Sequence, residues 1–247
     1  MAGKPLNGKV ALITGAGRGI GREIALRLAS DGAMIIAHFA HSKAGAEEVV
    51  ALIKAGGGDA VAYQADIAKR AEVKAMFAEI DKHPGHLDIV VNNSGVSAKG
   101  MLADLRDEDV EAVFGINMLG PLYVASEAAS RMRDNGRIIN FSSSVAKYPL
   151  AGAGLYSAAK KAVESFTESW ARELGARGIT VNTVVPGATS PGMIDSAPDY
   201  VDFFAQASPF KRIGRAEEIA DIVAFLASPA ASWVTGGTIL ANGAGNT

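Results

Sequence analysis

Short apolar segments alternate along the chain with longer amphipathic segments, and this alternation restricts the possible folds more than any other feature. The apolar segments are continuous, which is typical of strands buried on both faces of a parallel sheet. They cover residues 9–14, 33–37, 60–64, 87–91, 137–141, 179–185 and 238–240. Amphipathic helices are predicted at residues 20–29, 44–55, 71–82, 107–131, 156–176 and 216–227. The pattern predicts an α/β fold with a parallel sheet and right-handed crossovers.

Length and composition limit the class of protein further. The chain has 247 residues, with 24 basic and 26 acidic side chains and no cysteine. Because no composition shift marks a linker, we expect a single domain over residues 1–247. The absence of cysteine excludes disulfides, thiolate zinc sites and a cysteine nucleophile. The near-neutral charge balance argues against a nucleic-acid-binding surface.

Two further expectations come from the distribution of apolar residues. No apolar run approaches the ~18 residues of a membrane helix, and the first residues lack the apolar stretch of a signal peptide. We therefore expect a soluble, cytoplasmic protein with no membrane partner. The longest irregular stretch, residues 187–215, follows a predicted strand end, where open parallel sheets bind ligands. It is interpreted as a substrate loop or lid.

A glycine-rich loop joins the first predicted strand to the first predicted helix. It reads Thr-Gly-Ala-Gly-Arg-Gly-Ile-Gly over residues 14–21. Such glycines let the backbone approach a pyrophosphate, whose charge then lies at the helix N-terminus. Taken alone, the stretch is equally compatible with a tight turn, but its place between strand and helix favours a dinucleotide site. The expected contacts are Gly15, Gly17, Arg18, Gly19, Ile20 and Gly21.

The residues after the second predicted strand bear on which dinucleotide binds. An NAD site would place Asp or Glu there, about 20 residues after the loop, to bind the ribose 2′-hydroxyl. No carboxylate occurs between residues 32 and 46. A 2′-phosphate would instead meet basic and polar side chains, so NADP is favoured over NAD. The candidate contacts here are Arg18, Ala40, His41, Ser42 and Lys43. The alternative is that Arg18 and Lys43 are ordinary solvated charges and that His41 is an exposed loop residue.

A tyrosine and a lysine lie four residues apart in the predicted helix 156–176. This spacing places Tyr156 and Lys160 on one helix face. A phenol has a pKa of about 10, and a nearby ammonium favours the phenolate, which brings the group toward the working range of acid–base catalysis. Lys161 points about 100° further round the helix and is interpreted as a surface charge. Because such pairs also occur on surface helices, the pair indicates catalysis only together with its surroundings.

Taken together, the motifs resemble those of the short-chain dehydrogenase/reductase family over residues 9–243. The resemblance rests on the Gly-x-x-x-Gly-x-Gly loop, Asn-Asn-Ser-Gly at residues 92–95, the Tyr-x-x-x-Lys pair and Pro-Gly at residues 186–187. It is closest to the 3-oxoacyl-[acyl-carrier-protein] reductase-like branch. It implies a Rossmann fold, doubly wound around seven parallel strands in the order 3-2-1-4-5-6-7, and a homotetramer.

The resemblance also implies roles for individual residues. Asn117, Ser143, Tyr156 and Lys160 match the family's catalytic tetrad. Ser142 and Ser144 stay open as alternatives to Ser143, because adjacent strand residues face opposite sides, and Asn117 could instead only mark a helix kink. The further cofactor contacts that it implies, besides Tyr156 and Lys160, are Asp66 and Ile67 at the adenine, then Asn93, Gly95, Pro186, Gly187 and Thr189.

The predicted function is NADPH-dependent reduction of a ketone, or of a 3-oxoacyl thioester, to a secondary alcohol, with Tyr156 as general acid. One alternative is an NAD(P)-dependent dehydrogenase that oxidises a sugar or secondary alcohol. Another is a catalytically silent dinucleotide-binding sensor. No metal is expected, since the four histidines show no ligand spacing. An apolar substrate pocket is predicted from Val145, Leu150, Leu155, Met193 and Phe203, whereas Phe225 and Trp233 suit an interface or the core equally.

Overall fold

A seven-stranded parallel sheet forms the centre of the molecule, in a computed structural model that describes residues 3–245. The strands are β1 (Val10–Ile13), β2 (Met34–Phe39), β3 (Ala60–Gln64), β4 (Leu87–Asn92), β5 (Met132–Phe141), β6 (Thr180–Pro186), β7 (Thr189–Ser190), β8 (Gly214–Arg215) and β9 (Thr238–Ala241). The large sheet has the order β3-β2-β1-β4-β5-β6-β9, and all its neighbours are parallel. This confirms the predicted α/β fold and its strand order.

Helices cover both faces of this sheet. They are α1 (Gly19–Ser30), α2 (Lys43–Ala55), α3 (Arg70–Lys82), α4 (Asp107–Phe114), α5 (Gly120–Ala129), α6 (Ser144–Lys147), α7 (Gly154–Leu174), α8 (Val201–Ala207) and α9 (Ala216–Ala227). In β1, Ala11 and Ile13 pack with α1, α2 and α9, whereas Val10 and Leu12 pack with α3, α5 and α7. Strands buried on both sides need apolar residues at every position, which explains the continuous apolar segments. Within residues 3–245, no helix has both the length and the hydropathy needed to cross a membrane.

The long helix predicted over residues 107–131 is confirmed as one continuous helical run over residues 107–129, which contains one local distortion. Between α4 and α5 the chain makes a wide helical turn, Gly115–Leu119, after which the Gly120 N–H donates to the Gly115 carbonyl. Pro121 has no N–H to donate, and its ring clashes with the carbonyl four residues earlier in a regular helix. The wider turn accommodates the proline, and it carries Asn117.

Residues 187–215 contain more regular structure than the irregular loop predicted there. Strands β7 and β8 form a separate two-stranded parallel sheet, in which Thr189 pairs with Gly214. Short 3-10 turns at Met193–Ser196 and Pro198–Tyr200 lead into α8. The segment is therefore folded into short strands, turns and one helix, and it connects the end of β6 to α9.

A buried carboxylate, Asp88 in β4, ties three segments together at the amino end of the sheet. Its Oδ2 accepts hydrogen bonds from the Val10 N–H at 2.9 Å and the Arg133 guanidinium at 2.6 Å, and Lys9 Nζ lies 3.3 Å from its Oδ1. Burial by itself would raise the pKa of Asp88. The hydrogen bonds from Arg133 and Val10 and the charge of Lys9 outweigh burial, and the pKa is lowered. The folded protein therefore favours the charged carboxylate.

We expect Asp88→Asn to lower the free energy of unfolding by about 2 kcal/mol near neutral pH, because the amide leaves buried donors without a charged acceptor. Since the folded pKa is lowered, the contribution of Asp88 is present above the unfolded pKa of about 3.9 and is lost as the pH falls through the folded pKa. Urea titrations at neutral and acid pH measure both effects. Glu108→Gln, at an exposed site, is the control. A constant difference from wild type down to acid pH would contradict the prediction.

Candidate active site and cofactor crevice

The glycine-rich loop lies at the carboxyl end of β1, between β2 and the end of β4. Gly15 has a φ of +69°, a conformation that glycine adopts without strain. A Cβ on Gly21 would collide with the Gly15 carbonyl oxygen, so glycine at this position lets α1 start against the loop. The Asn93 side chain donates to the Thr14 carbonyl at 2.9 Å, and the Thr14 hydroxyl accepts the Ser94 N–H at 3.0 Å. The loop is thus fixed to the end of β4.

The N-terminus of α1 fits the pyrophosphate of a dinucleotide. Within residues 3–245 no side chain caps this helix, and its first turn holds no acidic residue. The first N–H groups of a helix have no partner inside the helix, and with the helix dipole they attract an anion. Arg18, at the N-cap position, is exposed beside them. The loop residues therefore suit a phosphate-containing cofactor.

A pocket beside the loop brings together residues predicted to contact the adenosine half of the cofactor. It is lined by Ala40, His41, Gln64, Asp66, Lys69 and Glu72. Asp66 Oδ1 accepts the Ala68 N–H at 3.0 Å, and Glu72 accepts the Asp66 N–H at 2.7 Å. Ile67, the residue after Asp66, is buried. These hydrogen bonds fix the turn after β3 by protein contacts alone.

Ser143, Tyr156 and Lys160 come together where β5 ends and α7 begins. The Ser143 hydroxyl lies beside the Tyr156 phenol, and Lys160 Nζ lies 5.9 Å from the centre of the Tyr156 ring. Burial raises the pKa of Tyr156, and the neighbouring Ser143 side chain opposes this rise. Burial lowers the pKa of Lys160 to about 8. At neutral pH the phenol therefore carries its proton and most of the lysine carries its charge.

Backbone groups hold Lys160 and Asn117 in place. Lys160 Nζ donates to the Phe141 carbonyl at 2.9 Å. Asn117 is fully buried in the wide turn, where Nδ2 donates to the Val96 carbonyl at 2.7 Å and Oδ1 accepts the Val96 N–H at 2.9 Å. A Cβ on Gly95 would lie 3.1 Å from Asn117 Oδ1 and 3.4 Å from Lys160 Nζ. Asn117 is therefore both part of a helix distortion and a neighbour of Lys160.

The neighbouring polar residues have different surroundings. Ser142 donates to Glu164 Oε1 at 2.8 Å inside the protein, and Ser144 is buried in α6. Lys161 Nζ lies 2.6 Å from Glu164 Oε2, and its side chain is 61% exposed, as expected of a surface charge. Of the three serines, Ser143 is the one beside the phenol.

Comparisons with known proteins agree with this geometry. The family model described as Enoyl-(Acyl carrier protein) reductase matches residues 15–245. The chain is 41% identical over 252 residues to short chain dehydrogenase/reductase nsrJ of Aspergillus novofumigatus, with 96% of each chain covered. The chain belongs to the short-chain dehydrogenase/reductase family. This confirms the family resemblance that the motifs indicate.

Two other members of the short-chain dehydrogenase/reductase family carry names that describe a reaction. Versicolorin reductase 1 of Aspergillus parasiticus is 40% identical to this chain over 252 residues, with 96% of each chain covered. The solved structure of angucycline C-6 ketoreductase LanV with bound NADP has a TM-score of 0.94 and 36% identity. That similarity covers 99% of this chain and 98% of LanV. This member of the family thus shares the fold of LanV over almost its full length.

In this short-chain dehydrogenase/reductase, the residues after β6 form the far wall of the crevice. Pro186 ends the strand, and the Thr189 hydroxyl donates to the Gly187 carbonyl at 3.0 Å. Met193, in the turn after β7, reaches back to the site: its Cε would lie 3.3 Å from a Cβ on Gly95. Met193 therefore lies close to Gly95, which also lies near Lys160.

Several side chains that shape the crevice lie outside the predicted set. The Thr14 hydroxyl and the Glu72 carboxylate hold loop backbones, and Glu164 binds Ser142. His38 contacts the glycine loop from β2. Of these four residues, only His38 stands out in the sequence, because a histidine within an apolar strand is unusual.

Proposed function

We propose that this protein reduces a ketone to a secondary alcohol with NADPH as the hydride donor. The observation that carries the proposal is the Tyr156 phenol beside Ser143, with the Lys160 ammonium 5.9 Å from its ring centre. The names of versicolorin reductase 1 and of the NADP-bound ketoreductase LanV support reduction with this cofactor. The uncapped α1 N-terminus and the glycine-rich loop supply the site for its pyrophosphate.

In the proposed reaction, the glycine-rich loop and the N-terminus of α1 would hold the cofactor, which would supply the hydride that the carbonyl carbon receives. The Tyr156 O–H donates its proton to the carbonyl oxygen as negative charge develops there, and Ser143 donates a hydrogen bond to the same oxygen. The Lys160 ammonium stabilises the phenolate that remains. Asn117 holds the Val96 backbone and thereby the strand end next to Lys160.

We infer that the substrate is a largely apolar ketone. A pocket touches Gly187 and Ser144, the residue after Ser143, and most of its other side chains are apolar: Phe204, Phe210, Ile213, Ile219 and Ile222 line it. The charged residues at this pocket, Arg212 and Glu218, pair with each other at 2.7 Å. The pocket is thus built from other residues than the five predicted, with α8 and β8 as one wall. In this proposal, residues 187–215 cover the substrate.

A ketone panel tests the proposal. Purified protein is mixed with NADPH and, in turn, an aromatic ketone, a keto-ester and a 3-oxoacyl thioester, and the loss of NADPH absorbance is followed. We expect consumption with the aromatic ketone and a secondary alcohol detected by mass spectrometry. Tight NADPH binding without consumption of any substrate would indicate the sensor instead. Activity confined to alcohols with NADP would indicate the dehydrogenase.

We infer a preference for NADPH over NADH from Arg18, and expect Arg18→Ala to raise the Kd for NADPH about tenfold, because a guanidinium–phosphate pair contributes roughly 1.5–3 kcal/mol. The Kd for NADH should not change. Lys54→Ala is the control, since Lys54 is exposed in the last turn of α2, at the other end of that helix from Ser42. Fluorescence titration with both cofactors measures the result. An equal loss for NADPH and NADH would contradict contact with the 2′-phosphate.

We also propose that the chain forms a homotetramer. Strand β9 lies at the edge of the large sheet, and exposed apolar side chains lie near it in the chain. Trp233 is 97% exposed and Phe225 is 49% exposed, so neither belongs to the core of one chain. Burial of such groups against another copy would remove them from water. Light scattering, compared with the chain mass of 25.4 kDa, measures the state.

A further inference from the structure

His38, in β2, is a buried polar residue that the proposed reaction does not use. It is 1% exposed. Its Nδ1 accepts the Gly15 N–H at 3.2 Å, and its Nε2 lies 2.9 Å from the Ala65 carbonyl oxygen. The Gly15 N–H needs an acceptor at Nδ1, and the Ala65 carbonyl needs a donor at Nε2. These two contacts therefore require the neutral ring with its proton on Nε2. One imidazole therefore bridges two backbone segments.

The two segments lie on opposite sides of β2. Gly15 follows β1 in the glycine-rich loop, whereas Ala65 follows β3 and precedes Asp66. Because β2 separates β1 from β3 in the sheet, strand hydrogen bonds do not join these two loops directly. The His38 backbone carbonyl also accepts the Ala16 N–H at 3.0 Å. The side chain adds a connection across the end of β2 that the sheet does not provide.

A core-filling role does not account for this arrangement. A doubly buried strand position is ordinarily filled by an apolar residue, and burying polar nitrogens costs free energy unless both are hydrogen bonded. Burial lowers the pKa of His38 to about 4, although the hydrogen bond to Ala65 and the charge of Asp66 oppose this shift. The ring is therefore uncharged at neutral pH, where both directed contacts persist.

We propose that His38 is a positioning residue for the dinucleotide, because it sets the glycine loop against the turn that carries Asp66. The inference rests on the proposed function, in which the loop receives the pyrophosphate and the turn receives the adenine. Without the bridge, the two loops must be ordered when the cofactor binds, and that ordering weakens binding. The hydride and proton transfers occur at the other end of the cofactor, beside Tyr156, so they should be unaffected.

Three substitutions separate the two contacts. His38→Asn offers an amide oxygen near the position of Nδ1 but is too short to reach Ala65. His38→Gln offers a donor near the position of Nε2 but no acceptor for Gly15. His38→Phe keeps a ring of similar size and removes both contacts. We expect the Kd for NADPH to rise about tenfold in His38→Phe and about threefold in the other two, in keeping with the usual strength of a hydrogen bond.

The readouts distinguish positioning from general damage. In His38→Phe, the KM for NADPH should rise with the Kd, while kcat at saturating NADPH stays within about twofold, because the reacting groups lie elsewhere. Binding of 2′,5′-ADP, which contains only the adenosine half, should weaken as NADPH binding does. Ile35→Val is the control: it trims a fully buried β2 side chain on the other face of the sheet. It should lower the Tm without changing the Kd.

Each contrary result has one meaning. If wild-type protein does not bind NADPH, the proposed function fails. If wild-type protein binds NADPH and His38→Phe binds it equally tightly, even with a lowered Tm, His38 is structural and the inference fails. A fall in kcat as large as the rise in Kd would also overturn it. If His38→Phe does not fold, the Asn and Gln variants decide, and wild-type Kd values for both would overturn the inference.

Discussion

Replacement of Tyr156 by phenylalanine is expected to lower kcat for ketone reduction about 10³-fold, within the range that a general acid contributes. Phenylalanine keeps the aromatic ring at the start of α7 but removes the hydroxyl that lies beside Ser143. Because burial holds the pKa of Tyr156 above its ordinary value of 10.0, the wild-type phenol carries the proton throughout the neutral range. The variant lacks that proton, while its cofactor-binding loops are unchanged.

Three measurements make the expectation specific. The Kd for NADPH should stay within about twofold of wild type, since the loss lies in the chemical step and not in binding. The Tm should show that the variant folds. Tyr123→Phe is the matched control, because Tyr123 also has a cation near its ring, with Arg70 at 5.6 Å from the centre. If Tyr156→Phe reduces ketones at the wild-type rate, another group supplies the proton and the proposed mechanism fails.

The strand order and the two-sided packing follow from sequence patterns that act locally. A strand such as β1, whose four residues are all buried, must be apolar throughout, so its position is visible without knowledge of the fold. The wide turn between α4 and α5 was not predicted although Pro121 signals it, because the period of apolar residues continues across the turn. The sheet of β7 and β8 has two residues in each strand, too few for any period to appear. Its existence depends on contacts between segments distant in sequence.

Some site residues likewise follow from a local sequence pattern, whereas others depend on contacts between distant segments. The Tyr156–Lys160 pair is a local feature, since one helix fixes the distance between the two residues. The choice of Ser143 over its neighbours depends on how the end of β5 meets α7, which spacing alone leaves open. Asn117 contacts the Val96 backbone from the wide turn, and this tertiary contact leaves no pattern in the sequence. His38 holds two loops through backbone groups, and backbone partners leave no pattern in the sequence.

Lys160 differs from Tyr156 in that its effect depends on charge. Its ammonium is buried and donates to the Phe141 carbonyl at 2.9 Å, and burial lowers its pKa to about 8. We expect Lys160→Met to lower kcat/KM for ketone reduction at least ~100-fold, because the phenolate formed during proton transfer loses the charge that stabilises it. Lys161→Met is the control. Its ammonium lies at the surface against Glu164, so kcat/KM should stay within about twofold.

The pH dependence of kcat/KM shows whether the charged form of Lys160 is the active one. The Lys160 ammonium is present below its pKa of about 8 and is lost above it. Wild-type kcat/KM should therefore fall as the pH rises through this value, and Lys161→Met should show the same decline. Burial raises the pKa of Tyr156 above 10.0, so loss of the phenolic proton would produce a decline only at higher pH. In Lys160→Met, the decline near pH 8 should disappear from the residual activity. A decline that survives this substitution would mean that another group titrates there and that Lys160 acts through packing and not through its charge.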